Sequence, residues 1–383
     1  MDLAEIRARL DEVDSRLIDL FCQRLALAEE VGAQKKETGT PILDPARERE
    51  KTAALMEQAG AANPDAVDYV PILCSLLFEM SRAQQEKIVR PSSQTSREIE
   101  AAIQNTPQLF PQNAVIACQG VEGAYSQLAC ERLFPTPNIM YFRDFEGVFA
   151  AIDGGLCRYG VLPLENSTAG SVNQIYDLMM RYNFRIVRSA RLKVDHNLLA
   201  KRGTKLSDIR EIVSHEQAIS QCTAFLQSLG NVKVTVCENT AIAAQTVAAS
   251  DRTDLAALSS RACAELYGLA NLAGSVQDKG NNYTRFICIS KDLEIYPGAD
   301  RTSIMLTLPH KPGALYKILA RFYALGINLV KLESRPLPDR DFEFMFYFDL
   351  ETTIYSPKFV QLMSNLETLC EEMRYLGSYL EIV

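Results

Sequence analysis

The sequence predicts a multidomain chain: an all-α block, a two-lobed α/β block and an α+β block, in that order. Three observations carry the reading. Over residues 1–90 the apolar residues recur at alternating steps of three and four, the period of a helix. From Ala114 short β-type runs alternate with helical stretches, which marks an α/β layer fold. From Arg301 the order becomes β-α-β-β-α-β, the split βαβ plan. A length of 383 residues suits two or three domains, and an apolar fraction of 47% is ample for their cores. The expected bounds are 1–90, a linker over 91–112, then 113–292 and 300–383.

In the first block the helical stripe runs Leu3, Ile6, Leu10, Val13, Leu17, Leu20, and resumes at Leu27 and Val31. The first helix should stop at the breaker cluster Thr38-Gly39-Thr40-Pro41. A second short helix follows Asp44-Pro45, with Asp as N-cap and Pro in the first turn. A third spans about Asp65 to Ile88. The stretch 91–112 is rich in Pro, Ser, Gln and Thr and reads as a linker with one helical turn around Glu98–Ile103.

In the central block the β-type runs are 114–118, 138–142, 159–164, 185–192, 211–215, 232–238, 255–260 and 286–290, with helical stretches between them. Two lobes around a cleft fit that number of strands. In the last block, strand runs begin at Arg301, Ile327, Phe342 and Tyr375, with helical runs from Gly313 and Ser356.

Composition excludes several classes. A net charge of −8 argues against general nucleic-acid binding. The first ten residues carry charges and no apolar h-region, so no signal peptide is expected. No apolar run reaches eighteen residues, so no membrane span is expected. The ten cysteines lack paired spacing, and most of them read as buried thiols in a reducing cytoplasm. Three histidines, His196, His215 and His310, show no ligand spacing, so no metal is expected.

The chemistry of the first block starts at Arg24, which occupies the step of the stripe between Leu20 and Leu27. A guanidinium in a buried seam costs on the order of several kcal/mol unless an anion meets it. Lys35 lies eleven residues on, about three turns, and projects from nearly the same face. Two cations aimed at one core predict a bound anion. Asp44, Arg47 and Glu48 open the second helix, and Ser81 and Gln85 share a face of the third. Arg7 is about 100° round the helix from Arg24 and would serve a partner's pocket rather than its own.

In type and spacing, Arg7, Arg24, Lys35, Asp44, Arg47, Glu48, Ser81 and Gln85 resemble the active site of the all-helical chorismate mutases. The resemblance implies an intertwined dimer with Arg7 reaching across. It also implies that Arg7, Arg24 and Arg47 bind the substrate's carboxylates, Lys35 and Gln85 donate to its ether oxygen, and Glu48 holds its hydroxyl. A Claisen rearrangement has no covalent intermediate, so such a site acts by holding the compact conformer and stabilising charge at the breaking bond.

Four motifs stand at strand edges in the central block: Gly120 to Ser126, Pro163 to Gly170, Ser214 to Gln217 and Asn282 to Phe286. Strand ends of α/β folds are where ligand sites form, and these motifs supply hydroxyls, amides, one Arg and helix N-termini suited to an anion. A dinucleotide site is disfavoured because Cys118 stands where the first fingerprint glycine belongs. Ser167 lacks the nucleophile elbow of a serine hydrolase. The motifs around Glu165 and Thr284 resemble prephenate dehydratase. That resemblance implies a two-lobed fold like periplasmic binding proteins with the site in the cleft. Thr284 would assist departure of the ring hydroxyl and Arg285 would bind a carboxylate. Glu165, Asn166, Ser167, Thr168, Ser214, Gln217 and Asn282 would line the cleft. Glu216 stands where the family usually has Pro.

In the last block, Gly313-Ala314-Leu315 opens a helix after a strand, and Glu333-Ser334-Arg335 ends the second strand. Both look like the phenylalanine-binding motifs of the ferredoxin-like ACT domain. With all three parts in order, the chain resembles bifunctional chorismate mutase–prephenate dehydratases. The resemblance implies chorismate, prephenate and L-phenylalanine as ligands, a homodimer or homotetramer, and no cofactor. Rival readings are a non-catalytic amino-acid sensor, and a dehydratase whose helical block serves only dimerisation.

Overall fold

In a computed structural model that describes residues 2–89, 93–338, 340 and 343–383, the chain divides into two compact units, Met1–Arg97 and Glu98–Val383. The first holds helices α1 (Leu3–Thr38), α2 (Pro45–Ala62) and α3 (Val70–Val89). A reciprocal capping box opens α1: Glu5 N donates to Asp2 Oδ1 at 2.8 Å and Asp2 N to Glu5 Oε2 at 3.1 Å. It closes at Gly39, whose φ of 67° favours a residue without Cβ. Asp44 caps α2 ahead of Pro45. The third helix starts later than its apolar pattern suggests, because Pro64–Tyr69 form a 3-10 turn and Pro71 fits only the first turn of an α-helix.

The leucine stripe is not a core within this chain. Leu3, Leu10, Val13, Leu17, Leu20 and Leu27 are each more than half exposed. The face of α1 that packs on α3 is a neighbouring one, where Ala28 and Gly32 are buried. A Cβ at Gly32 would stand 2.9 Å from Gln85 Cα, so the small residues are what let the two helices approach. Arg24 lies at the edge of that contact, half-buried.

Helix α4 (Gln94–Asn105) occupies the stretch read as a linker. It is three turns long rather than one, and its Ile99 and Ala102 are buried against the C-terminal core, which residue-by-residue polarity conceals.

The second unit contains strands β1 (Val115–Gln119), β2 (Asn138–Phe142), β3 (Tyr159–Asn166), β4 (Gly170–Ser171) and β5 (Arg185–Lys193). Then come β6 (Asn197–Ala200), β7 (Glu211–Ser214), β8 (Lys233–Val236), β9 (Leu255–Ser259), β10 (Ala270–Ala273) and β11 (Tyr283–Ser290). The last are β12 (Arg301–Thr307), β13 (Asn328–Pro336), β14 (Phe344–Glu351), β15 (Glu372–Tyr379) and β16 (Glu381–Ile382). Among the described residues they form three sheets.

The first sheet runs β16-β5-β11-β3-β1-β2, with β4 paired to β3, and the second runs β10-β6-β9-β7-β8. They are the two lobes. The chain crosses between them twice, from β5 to β6 and from β10 back to β11. The third sheet runs β13-β14-β12-β15. Helices Ala314–Ala324 and Pro357–Leu369 belong with one face of it, around Ile304, Leu306 and Phe348. Its other face shares a core with the first lobe: Met305, Met345, Tyr347 and Tyr379 pack with Leu162, Leu164, Ile175 and Tyr176. Gly377 lets β15 pass this close, because a Cβ there would collide with the Ile186 carbonyl. No helix among the described residues is long and apolar enough to cross a membrane.

Candidate active sites

A cavity of about 340 Å³ lies among the three helices of the first unit. α1 contributes Arg24 and Lys35, the start of α2 contributes Asp44, Arg47 and Glu48, and α3 contributes Ser81 and Gln85. Seven of the eight residues singled out from sequence therefore meet in one place. Arg24 Nη1 donates to Leu77 O at 2.8 Å and to Ser81 Oγ. Anchored on one edge, the guanidinium keeps Nε and Nη2 for another acceptor. Burial is the main influence on it and lowers its pKa. Lys35 Nζ donates to Ile42 O at 2.7 Å. Gln85 is buried, and among the described residues its Oε1 has no hydrogen-bond partner.

Two further cations, Lys51 and Arg82, line the cavity, and Arg82 donates to Glu48 Oε1. Lys51 stands one turn beyond Arg47, a spacing that could have flagged it. Five cations (Arg24, Lys35, Arg47, Lys51, Arg82) against two carboxylates (Asp44, Glu48) leave three net positive charges. That surplus suits a dianion. Arg7 does not line the cavity, and it is exposed. Seventeen residues of helix separate it from Arg24, roughly 25 Å along the axis.

A second cavity, of about 540 Å³, lies between the two lobes. Tyr125, Asn166, His196, Gln217, Gln221 and Thr284 are among its lining. A polar recess of about 260 Å³ includes Thr168, Gln217, Gln221 and Asn282. One hydrogen-bond network joins the walls. Asn166 Nδ2 donates to Asn282 Oδ1 at 2.8 Å and to Thr284 Oγ1 at 2.9 Å. Asn282 Nδ2 donates to Gln221 Oε1 at 2.7 Å, and His196 Nε2 lies 2.9 Å from the same oxygen. Gln221 Nε2 donates to Thr168 Oγ1 at 3.3 Å across the cleft. Burial lowers the pKa of His196, favouring the neutral ring.

Thr284 Oγ1 thus accepts a hydrogen bond from Asn166. Among the described residues it donates none, so its own proton is free to point into the cleft. Asn282 is buried, and its amide nitrogen is held by Gln221.

Four residues read as cleft lining take other roles. Ser214 is fully buried and donates to Leu258 O at 2.7 Å, tying β7 to β9. Ser167 bridges Asn281 O and Tyr283 N, both at 2.9 Å, and so fixes the turn. Glu165 and Arg285 leave the cleft because strand neighbours alternate sides: Asn166 and Thr284 face it, so their neighbours face away. Glu165 reaches Lys331 Nζ at 2.8 Å, and Arg285 is buried beside Asp349. Sequence reading missed His196, at the crossing from β5 to β6, and Gln221, at the end of the helix after β7, and gave no role to Tyr125 inside its Gly120 to Ser126 motif. Gln221 stands one helical turn after Gln217, which was the available signal.

Two family models match. Residues 6–86 match chorismate mutase type II, and residues 116–294 match prephenate dehydratase. A bifunctional chorismate mutase/prephenate dehydratase of Enterobacter agglomerans is 31% identical over 98% of this chain and 95% of its own length. The chain belongs to the bifunctional chorismate mutase/prephenate dehydratase family. It is therefore an enzyme of both activities, rearranging chorismate to prephenate and converting prephenate to phenylpyruvate, two steps of phenylalanine biosynthesis. The helical cavity falls within the mutase match and the interlobe cleft within the dehydratase match. An arogenate dehydratase/prephenate dehydratase of Arabidopsis thaliana is 35% identical over 79% of this chain and 81% of its own. A prephenate dehydratase from Arthrobacter aurescens, solved in complex with L-Phe, superposes with a TM-score of 0.64 at 27% identity, covering 69% of this chain and 89% of that one.

The effector motifs divide between the faces of the third sheet. Register pairs Ser334 with Phe346 and Leu332 with Phe348, on the helix side. Glu333 and Arg335 face the first lobe: Ser171 donates to Glu333, and Arg335 holds Asp177 at 2.8 and 2.7 Å. Gly313 has φ 81° and precedes the helix that begins at Ala314 and Leu315. Glu333 and Arg335 therefore do not share a surface with Ser334 within one chain.

Proposed function

We propose that the two cavities are the two active sites, with roles set by the groups each presents. In the helical cavity Arg24 and Arg47 bind the carboxylates of chorismate, and Lys35 and Gln85 donate to the ether oxygen as its bond to carbon lengthens. Glu48, Asp44 and Ser81 complete the wall. The surplus of three positive charges supports this reading, because charge developing on the ether oxygen is stabilised by donors fixed in advance. Arg7 serves the cavity of a second copy. The exposed leucine stripe along α1 supports an intertwined dimer, since single chains seldom leave so long an apolar face in water.

In the cleft, Thr284 protonates the departing ring hydroxyl of prephenate while the carboxylate leaves as carbon dioxide and the ring becomes aromatic. One observation carries this role: the threonine oxygen accepts from Asn166, which leaves its hydrogen as the donor. A threonine is a weak acid, and aromatisation supplies most of the driving force, so orientation does most of what remains. Gln217, Thr168 and Asn282 bind the polar groups of the substrate.

The C-terminal βαββαβ domain is an ACT domain, and L-phenylalanine bound by its motifs lowers dehydratase activity. The split between Glu333 and Ser334 supports a division in which one face contacts effector and the other contacts the cleft lobe. The absence of a membrane-spanning helix among the described residues and the scattered thiols are consistent with a cytoplasmic enzyme. The test is to supply prephenate at neutral pH and follow phenylpyruvate, with and without phenylalanine. Suppression by phenylalanine supports the dehydratase and regulatory parts of the reading, and chorismate consumption by the same chain tests the helical cavity. Formation that phenylalanine leaves unchanged removes the regulatory part.

A further inference from the structure

Arg285 is fixed in part by groups of the third sheet, outside the two lobes. It sits on β11 between Thr284 and Phe286, both of which line the cleft, yet its own side chain is only 4% exposed. Its Nη1 meets Asp349 of β14, and its Nη2 donates to Tyr379 Oη of β15 at 2.8 Å. Glu381 Oε1 lies 3.0 Å from Nε, and Glu165 Oε1 lies 3.4 Å from Nη1. Two of these carboxylates have other cations: Glu381 pairs with Arg191 and Glu165 with Lys331. Asp349 has none among the described residues. It is fully buried and accepts as well from Ser303 and from Tyr347 Oη at 2.6 Å. Among the described residues Asp349 thus depends on Arg285 alone, whereas the other carboxylates near Arg285 are shared with further cations.

The pair holds one position of β11 in particular. Opposite Arg285 the ladder to β3 shifts register: Arg285 faces Glu165 and Phe286 faces Pro163. A strand beside an irregularity is held less by its backbone ladder, so its side-chain anchors matter more. One residue away, the Thr284 hydroxyl must meet a substrate atom within hydrogen-bond distance, and small displacements there cost rate steeply.

We propose that Arg285 is a positioning residue for Thr284, and that Asp349 of the C-terminal domain completes the dehydratase site by fixing it. The inference rests on the dehydratase reading of the cleft and on Thr284 as its proton donor. The folding of the C-terminal sheet against the first lobe is then part of building the cleft, and the substrate's carboxylate is met by groups other than Arg285.

The test uses the full chain and both activities. Asp349→Asn keeps shape and hydrogen-bonding capacity but removes the charge. It should lower kcat for prephenate by about tenfold or more with KM within about twofold, while chorismate mutase turnover stays unchanged. Arg285→Lys should retain more activity than Arg285→Met, and combining Arg285→Met with Asp349→Leu should recover part of what either single change loses, because no charge is then left buried alone. A rise in KM with kcat retained in Arg285→Lys would make Arg285 a carboxylate binder and overturn the proposal. Unchanged kcat in Asp349→Asn would also overturn it. If that variant does not fold, Tyr379→Phe removes one hydrogen bond and no charge: a kcat loss of about threefold with KM unchanged supports the proposal, and an unchanged kcat refutes it. Thr284→Ala is the separate control. Full activity there would remove the proton-donor reading itself, whatever Asp349→Asn does.

Discussion

Thr284 and Arg285 are consecutive on β11 and face opposite sides of it: the hydroxyl lines the interlobe cleft and the guanidinium is buried against Asp349. The first consequence concerns Thr284. If its hydroxyl supplies the proton, Thr284→Ala should lower dehydratase kcat by about 100-fold or more, and Thr284→Ser should keep most of it. The mutase site lies in a separate compact unit, so chorismate consumption should be unaffected in both variants. Equal loss of the two activities would contradict separate sites.

Arg24→Ala should do the reverse. It removes the guanidinium held by Leu77 O and Ser81, a half-buried cation of the cavity. Mutase kcat/KM should fall by about 100-fold or more, while supplied prephenate is still dehydrated at the original rate. Arg7→Ala offers the companion measurement. If Arg7 serves a second copy, mixing it with Arg24→Ala should generate some sites with neither defect, and mutase activity should rise on mixing.

Gly32→Ala tests the helix contact that shapes the mutase cavity. The new Cβ would stand 2.9 Å from Gln85 Cα, against backbone that cannot rotate away. α3 must shift, carrying Gln85 and Ser81 with it. A stability loss of about 1–3 kcal/mol is expected from chemical denaturation. Mutase kcat should fall further than an equally destabilising change far from the cavity.

These residues also indicate how much was legible in the sequence. Spacing put Arg24 with Lys35 and Ser81 with Gln85, because helical period converts directly into a face, and the family resemblance joined them with Asp44, Arg47 and Glu48. Spacing misjudged the leucine stripe, which is apolar enough for a core yet is exposed in this chain. Period cannot say which chain covers a face. In the cleft, the motif around Thr284 was visible but the direction of Arg285 was not. Alternation along β11 implies that Thr284 and Arg285 oppose each other, and only the C-terminal sheet explains where the charge goes. His196 was silent because it reaches the cleft from the crossing between the lobes, which no local pattern encodes, whereas Tyr125 lay within a named motif and Gln221 one turn past Gln217. The α4 helix was hidden by a polar composition whose buried apolar residues, Ile99 and Ala102, meet a partner about two hundred residues away in sequence.

The buried His196 predicts how stability responds to acid. Its pKa in the folded chain is lowered by burial, while the unfolded chain has the ordinary value of about 6.5. The unfolded state therefore takes up a proton first as pH falls. The stability associated with the neutral ring is complete above about pH 6.5 and declines below it. Melting of the dehydratase unit should drop between pH 7.5 and pH 5.5 in the wild type, and the drop should shrink in His196→Asn. An identical pH dependence in the variant would assign the acid sensitivity to other groups.

The last prediction concerns the route from effector to cleft. Ser171, which lines the cleft, donates to Glu333 and lies 2.8 Å from Lys331 Nζ, while Arg335 grips Asp177 in the helix that follows on the same lobe. Strand β13 therefore touches the cleft wall through the very residues assigned to phenylalanine response. An effector can change the cleft only by binding one of two arrangements better than the other, and these contacts are what such arrangements would trade. Glu333→Ala breaks the link to Ser171 without removing Ser334 or the Gly313 turn. It should weaken phenylalanine inhibition by about fivefold or more in half-maximal concentration, while binding of phenylalanine measured by calorimetry falls less. If inhibition and binding fall together, Glu333 is a ligand contact and the relay through Ser171 is not the route. If neither changes, the response runs through the helix face alone, and Gly313→Val becomes the variant that must abolish it.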